Sequence, residues 1–226
     1  MLQYRLISVC SLFFLLVALI ICPTAKALAD DETVTNSDDV IAGVVANPQA
    51  AASVLIEAHT GEIIFGVNED SALPPASTTK ILTSLLALDM QADLDKPRLI
   101  SAEAAAVEES SLYLRAGEIL SLEDLLKGAL VHSGNDACYA IGEIVGGSEQ
   151  LFVHWMNMKA AVLGAYSVHM TNTNGLPDPN HQMSAADLAS LTAYAMQNDF
   201  FAEIVGSKYV EIGEASSYRY YKNTNK

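Results

Sequence analysis

Cysteine, tryptophan and positive charge are scarce in this chain of 226 residues. It has 3 cysteines, 1 tryptophan and 12 Lys and Arg residues against 27 Asp and Glu residues, which gives a formal net charge of −15. A surface this negative repels phosphate backbones and anionic lipid headgroups, so we expect neither nucleic acid nor anionic lipid as a partner. The length allows one good-sized domain or two small ones.

Patterns that hold metals or nucleotides are also missing. The five histidines are scattered along the chain, at His59, His132, His154, His169 and His181. None of them forms a His-x-x-x-His or a Cys/His pattern, which argues against a metal site. Lys80 lacks the preceding glycines of a phosphate-binding loop. We therefore expect neither a metal nor an organic cofactor.

The first 29 residues differ in composition from the rest of the chain. Arg5 is followed by an apolar run that ends at Ile21 and by Ala-Leu-Ala at 27–29. This pattern predicts a secretory signal peptide at 1–29, cut before Asp30. It therefore predicts an exported protein at the outer face of the cytoplasmic membrane, in the periplasm or in the cell wall. The alternative is an uncleaved anchor, since about 16 apolar residues are slightly short of a full membrane span. A lipoprotein is excluded because bulky Ile21 precedes Cys22.

Cleavage of this segment would sharpen two features of the remaining chain. It would leave 10 Lys and Arg residues against 27 Asp and Glu residues, a net charge of about −17. Cys138 would become the only cysteine, so no intramolecular disulfide could form, and its helical setting predicts a buried, inert thiol. Residues 30–49 are acidic and poor in large apolar side chains, which predicts a flexible leader.

From residue 50 onward the patterns are those of a folded domain. Two β-rich runs at 53–57 and 62–67 flank a turn, which predicts a hairpin. Apolar periodicity and capping residues predict helices at 77–90, 121–130, 134–145, 148–163 and 184–198, with a loop at 171–181 and strands within 208–221. We therefore predict an α/β (α+β) domain in which a helical cluster packs against an antiparallel sheet.

A serine and a lysine stand three positions apart where one of these helices begins. On a helix, Ser77 and Lys80 would share one face with their Cβ atoms about 5–6 Å apart, so the amine could reach the hydroxyl. A serine hydroxyl needs such a base to become a nucleophile, and a helix N-terminus can stabilise an oxyanion. The spacing is weak by itself, because an N-capping Ser77 followed by a solvated lysine has the same sequence.

A second polar turn separates two apolar segments at Ser133-Gly134-Asn135. There Ser133 could relay a proton, and the Asn135 amide could bind a substrate carbonyl or orient Lys80. The alternative is an ordinary helix cap by either residue. His132 stands beside Ser133, but sequence neighbours usually point apart, and Lys80 explains the base better. The sequence of Glu108 to Ser111 predicts a solvated turn.

Taken together, Ser-x-x-Lys and Ser-x-Asn resemble the signature of the penicillin-binding proteins and serine β-lactamases. Further blocks are similar to the D-alanyl-D-alanine carboxypeptidases of serine peptidase family S11, and they follow the family order. The blocks are 58–62, 75–83, 114–118, 125–137, 156–160, 174–178 and 181–188. The resemblance extends from about Ala50 to the last residue.

The resemblance implies a mechanism and a set of ligands. Ser77 would be the acyl-ester nucleophile, Lys80 the proton acceptor, Ser133 the proton relay and Asn135 a substrate-binding residue. The substrates would be peptidoglycan stem peptides ending in D-Ala-D-Ala, and β-lactams would inhibit by acylating Ser77. A D,D-endopeptidase and a β-lactamase remain alternatives, although the β-lactamase motif usually carries Asp where this chain has Gly134. A non-catalytic wall- or penicillin-binding module remains possible as well.

One family motif does not occur in these 226 residues. Lys-Thr-Gly, which in the family lies on an edge strand facing the nucleophile, is absent. We therefore expect residues 50–226 to be part of a penicillin-binding domain, with later strands and any C-terminal membrane anchor encoded further on. Loss of one oxyanion donor can lower a rate by about 10²–10³. The 226 residues alone are therefore expected to be weakly active or inactive.

Overall fold

The computed structural model describes residues 50–90, 93–213 and 218–224. The predicted signal peptide and leader lie outside the described residues. Within the described part, six strands and seven α-helices follow one another. The strands are β1 (Ser53–Ile56), β2 (Ile63–Val67), β3 (Pro97–Leu99), β4 (Ile119–Ser121), β5 (Tyr209–Ile212) and β6 (Arg219–Lys222). The helices are α1 (Thr79–Met90), α2 (Ala102–Ala105), α3 (Leu122–Val131), α4 (Asn135–Gly146), α5 (Glu149–Val162), α6 (Ala185–Ala195) and α7 (Asp199–Gly206).

The strands of the described residues pair as three separate antiparallel sheets of two strands each. β1 pairs with β2 from Ser53 opposite Val67 to Ile56 opposite Ile63, with an irregularity after Leu55. The other two sheets are β3 with β4 and β5 with β6. The predicted mixture of helices and antiparallel strands is confirmed. The described strands do not, however, join into one sheet.

Helix α1 lies at the centre of the helical cluster. It packs against α3, α4, α5 and α6, and its residues 82–87 are all buried. A helix that is covered by several neighbours buries most of its surface, which explains the leucine-rich run after Lys80. The core continues through the buried leucines of α3 and through Ala137, Cys138 and Ile141 of α4. The predicted burial of Cys138 is therefore confirmed.

Two helix boundaries differ from the predictions. Ser77 does not cap α1, because it lies inside a short 3₁₀ helix at Ala76–Thr78 and the α-helix begins two residues later. The last predicted helix ends at Ala195, and α7 follows it as a separate helix. Asn198 caps α7 by accepting a hydrogen bond from Phe201 N at 3.0 Å, so this asparagine begins a helix and does not end one.

The membrane question can be asked only of the described ranges. In residues 50–90, 93–213 and 218–224, no helix combines the length and the apolar character that a membrane span requires.

Candidate active site

The start of α1 brings Ser77 and Lys80 together. Lys80 Nζ lies 3.1 Å from Ser77 Oγ, within hydrogen-bond distance. Ser77 is exposed to solvent, whereas Lys80 is only 2% exposed. The short 3₁₀ helix produces this arrangement, because it places the serine on the surface and then turns the next residues into the core. A reactive hydroxyl is thus accessible from outside while its neighbouring amine is shielded from water.

Burial shifts the protonation equilibrium of the Lys80 amine. It lowers the pKa of Lys80 below the ordinary lysine value, and the nearby Cys138 acts in the opposite direction. Only a thiolate could stabilise the ammonium, however, and burial raises the pKa of Cys138 to about 12. The thiol is therefore neutral at neutral pH, so burial dominates and favours the free amine. A free amine can accept a proton from Ser77.

A backbone carbonyl holds the same amine from the other side. Lys80 Nζ donates to Asn174 O at 2.7 Å, across 94 positions of the sequence. The segment around Asn174 is fixed to the core through Thr173. Thr83 Oγ1 donates to Thr173 O at 2.6 Å, while Thr173 N and Oγ1 donate to Glu149 Oε1 at 3.2 and 2.9 Å. Lys80 therefore binds a loop segment that is itself held in place by hydrogen bonds to Thr83 and Glu149.

Gly175 lies directly against the backbone that precedes the nucleophile. Its φ of +89° belongs to the left-handed region, and a Cβ at this position would overlap Ala76 O. Ala76 itself has a φ of +48°, which is unusual for a residue with a side chain. This close approach requires glycine at position 175. The loop therefore lies directly against the turn that carries Ser77.

The second predicted turn, Ser133-Gly134-Asn135, connects α3 to α4. Ser133 is partly exposed and has a φ of +65°, a strained conformation for a residue other than glycine. A Cβ at Gly134 would come within 2.7 Å of Leu112 Cγ. An aspartate at this position would therefore displace Leu112, which argues against the β-lactamase form of the motif. Among the described residues, no hydrogen bond joins Ser133 to Ser77 or Lys80.

Asn135 contacts a neighbouring loop rather than the lysine. Its side-chain Nδ2 donates to Glu108 O at 3.3 Å, and its backbone N donates to Ser110 O at 2.6 Å. Asn135 is buried at the first position of α4, and one turn further along this helix Cys138 interacts with Lys80. The turn is therefore near the buried amine, while the side chain of Asn135 holds the loop at 108–114.

The carboxylate of Asp136 organises this loop further. It accepts hydrogen bonds from Ser111 Oγ at 2.7 Å, Leu112 N at 3.0 Å and Leu114 N at 3.1 Å. Asp136 is completely buried, so these donors replace the water that an ionised carboxylate requires. From the other side of the loop, Tyr221 Oη donates to Leu112 O at 2.8 Å.

Several of these contacts were not anticipated from the sequence. Asn174 O is a backbone group and leaves no signal in residue type, although the block 174–178 was noted for its family resemblance. Asp136 could have been noticed as an acid at the start of an apolar helix. In the described ranges, no group of three or more His, Cys, Asp or Glu side chains is arranged to hold a metal ion.

Comparison with known proteins identifies the family. The profile of the D-alanyl-D-alanine carboxypeptidase family, peptidase S11, matches residues 33–226. The chain belongs to this family. Similar family members include D-alanyl-D-alanine carboxypeptidase DacF of Bacillus subtilis, which is 35% identical over 166 residues, covering 70% of this chain and 42% of DacF. DacB2 of Mycobacterium tuberculosis is 36% identical over 167 residues, covering 72% of this chain and 57% of DacB2.

Solved structures of the family share the fold. The crystal structure of a D-alanyl-D-alanine carboxypeptidase from Mycobacterium tuberculosis is similar with a TM-score of 0.74 and 30% identity, over 78% of this chain and 67% of that one. Penicillin binding protein 6B from Escherichia coli is similar with a TM-score of 0.70 and 28% identity, over 78% of this chain and 57% of that one. The chain spans about half the length of the curated family members that it matches.

Proposed function

We propose that this protein is a serine-type D-alanyl-D-alanine carboxypeptidase that binds penicillin. The observation that carries the proposal is the buried Lys80 amine, which lies 3.1 Å from the exposed hydroxyl of Ser77. Burial lowers the pKa of Lys80, which favours the free amine that a base requires, and general-base assistance typically contributes about 10²–10⁴-fold in rate. Membership of family S11 supplies the reaction for which this pair is suited.

In the proposed reaction, Ser77 Oγ attacks the carbonyl between the two terminal D-alanines of a peptidoglycan stem peptide. Lys80 Nζ accepts the hydroxyl proton, while its hydrogen bond to Asn174 O keeps the amine in place. The C–N bond then breaks, and the departing D-alanine takes up a proton. Water hydrolyses the resulting ester and regenerates Ser77. A β-lactam follows the same first step, but its amine remains tethered to the acyl group.

Ser133 and Asn135 are assigned supporting roles in this proposal. Ser133 relays the proton towards the departing amine, and its strained φ of +65° is consistent with a residue held at a functional turn. Asn135 binds substrate near the loop that it holds through Glu108 O. The proposed partners are peptidoglycan peptides and β-lactams, and the proposed location is outside the cytoplasmic membrane, in the periplasm or cell wall.

A fluorescent penicillin tests the acylation step. We expect slow, covalent labelling of the folded 226-residue chain, mapped to Ser77 by peptide mass analysis. Ser77→Ala should remove the label with a change in unfolding free energy below about 0.5 kcal/mol, since the side chain is exposed. Equal labelling of the wild type and Ser77→Ala, or a label on the wild type that maps to another residue, would refute the proposal.

A second measurement separates the enzyme classes. Release of D-alanine from a peptide ending in D-Ala-D-Ala would assign carboxypeptidase activity. Fast hydrolysis of penicillin without release of D-alanine would instead indicate a β-lactamase. Cleavage confined to cross-linked peptides would indicate an endopeptidase, and labelling with no turnover of any substrate would indicate a binding module.

A further inference from the structure

A buried histidine connects the nucleophile helix to the loop that anchors its base. His181 is only 2% exposed. Its Nε2 lies 2.7 Å from Thr79 Oγ1, at the first residue of α1. Its Nδ1 lies 3.0 Å from Thr171 N, at the start of the segment that leads to Asn174. The imidazole thus joins two parts of the chain that are 102 positions apart at the Thr79 contact.

The contacts determine which nitrogen carries the proton. A backbone N–H can only donate, so Nδ1 must accept from Thr171 N and must be unprotonated. In a neutral ring the proton is then on Nε2, which donates to Thr79 Oγ1. An imidazolium would carry a second proton on Nδ1. That proton would face the donor Thr171 N and would have the Thr171 hydroxyl, at the longer distance of 3.3 Å, as an acceptor. The shorter contact from Thr171 N therefore favours the neutral, Nε2-protonated form.

The surroundings of the ring favour this form. Burial lowers the pKa of His181, the carboxylate of Asp178 opposes the shift, and His169 adds to it. Among the described residues, the titratable groups that act on the ring are Asp178 and His169. The imidazole also borders a surface cavity of about 350 Å³, which is lined by Ala76, Gly175 and several prolines as well. Protons from solvent can therefore reach the ring edge if the bridge opens.

Both ends of the bridge are close to reacting groups. Thr79 lies between Ser77 and Lys80 on the same turn, and the segment from Thr171 ends at the carbonyl that receives the Lys80 hydrogen bond. A shift of either end would change the distance between Lys80 Nζ and Ser77 Oγ. Proton transfer depends on this distance, since a base must lie within hydrogen-bond reach.

We propose that His181 is a positioning residue for the acylation of Ser77, acting as a neutral bridge between the start of α1 and the loop at 171–175. The inference rests on the proposed function, because it assigns His181 a part in the same acylation. Protonation of His181 breaks the bond from Thr171 N and releases the loop, so acylation requires a neutral His181 in addition to a neutral Lys80.

Two substitutions at His181 separate a bridge from a space filler. His181→Met preserves bulk but removes both polar contacts, and we expect the rate constant of penicillin acylation to fall about tenfold. His181→Gln keeps one acceptor and one donor without titrating, and it should acylate within about threefold of the wild type at pH 8. His154→Gln, at an exposed position of α5, is the matched control and should leave the rate unchanged.

The pH profile supplies a readout that a merely structural role would not move. As the pH falls below the ordinary histidine value of about 6.5, the wild type should lose acylation rate more steeply than His181→Gln, because two groups protonate in the wild type and one in the variant. Identical pH profiles, or wild-type acylation by His181→Met, would overturn the inference.

¹⁵N NMR of the His181 ring tests the bridge independently of enzyme activity. The Nε2-protonated form is expected at neutral pH, and an Nδ1-protonated ring would overturn the bridge. If penicillin labelled Ser77→Ala as fast as the wild type, the proposed function would fail, whereas the NMR result would still decide the state of His181.

Discussion

The two turns of the candidate site differ in what their side chains do. At the start of α1, the amine of Lys80 contacts two groups, the hydroxyl of Ser77 and the backbone carbonyl of Asn174. The first is the proposed nucleophile, and the second holds the amine in place. At the turn before α4, Asn135 and Asp136 hold the loop at 108–114 instead. The first turn places a nucleophile beside its base, whereas the second turn shapes the adjoining wall.

Burial has opposite consequences for the charged groups of the two turns. Lys80 is buried with few partners, and burial therefore lowers its pKa and favours the free amine. Asp136 is buried with several donors, which stabilise its carboxylate and make it a structural anchor. A substitution at the first turn should therefore affect chemistry, and one at Asp136 should affect stability.

Removal of the amine should have the largest effect on acylation. Lys80→Met retains the length of the side chain but not the base, and we expect penicillin labelling to slow by about 10³–10⁴-fold. At pH 7 the variant should be more stable than the wild type by about 1 kcal/mol, because an apolar side chain suits this buried site better. Rates of labelling and urea denaturation measure the two effects.

The pH dependence of stability checks the reason for this gain. The pKa of Lys80 is lowered in the folded state, so between that pKa and the ordinary lysine value only the unfolded chain binds the extra proton. The stability linked to the neutral amine is therefore complete above the ordinary value and is lost as the pH falls towards the folded value. The gain of Lys80→Met should shrink between pH 7 and about pH 10. A constant difference would contradict this account.

Substitutions of Ser133 should have the next largest effect on acylation. Ser133→Gly removes the hydroxyl and relieves the positive φ, so labelling should slow by about 10²-fold while the unfolding free energy rises by about 1 kcal/mol. Ser133→Ala loses the same hydroxyl but keeps the strain. It should match the glycine variant in rate and lack its gain in stability. Wild-type labelling by both variants would remove Ser133 from the reaction.

Disruption of the loop anchor should have a smaller effect on rate. Asp136→Ala leaves the donors of Ser111, Leu112 and Leu114 without their acceptor, which should lower the unfolding free energy by about 3 kcal/mol. Labelling of the folded variant should slow only about tenfold, since Ser77 and Lys80 remain in place. Asp136→Asn keeps one acceptor oxygen, so its unfolding free energy should lie between those of the wild type and Asp136→Ala in denaturation experiments. A rate loss as large as that of Lys80→Met would contradict the division between the turns.

Local patterns in the sequence predicted the parts of the fold that are formed by neighbouring residues. The helices at the centre of the cluster and the hairpin of β1 and β2 were anticipated from periodicity and turn residues. Strands β3 and β4 were not, because three residues are too few to show an alternation. Helix α7 was missed because Asn198 was interpreted as the end of a helix, whereas its side chain begins the next one.

In the candidate site, too, sequence spacing indicates contacts between near neighbours, whereas contacts between distant residues appear only in the folded structure. The i, i+3 spacing predicted that Ser77 and Lys80 share a face, and the structure places them 3.1 Å apart. The anchor of Lys80 could not be predicted, because it is a backbone carbonyl 94 positions away. The roles of Ser133 and Asn135 stay predictions that the labelling experiments address.

The long separation between Lys80 and its anchor makes acylation a reporter of folding. In an unfolded chain, Lys80 is solvated, has the ordinary lysine pKa and is protonated at neutral pH. Its amine becomes a base only when α1 is enclosed and the loop at Asn174 has closed over it. Ser77 should therefore acquire reactivity late in refolding, so that the time course of penicillin labelling after dilution from urea would record the closing of the core.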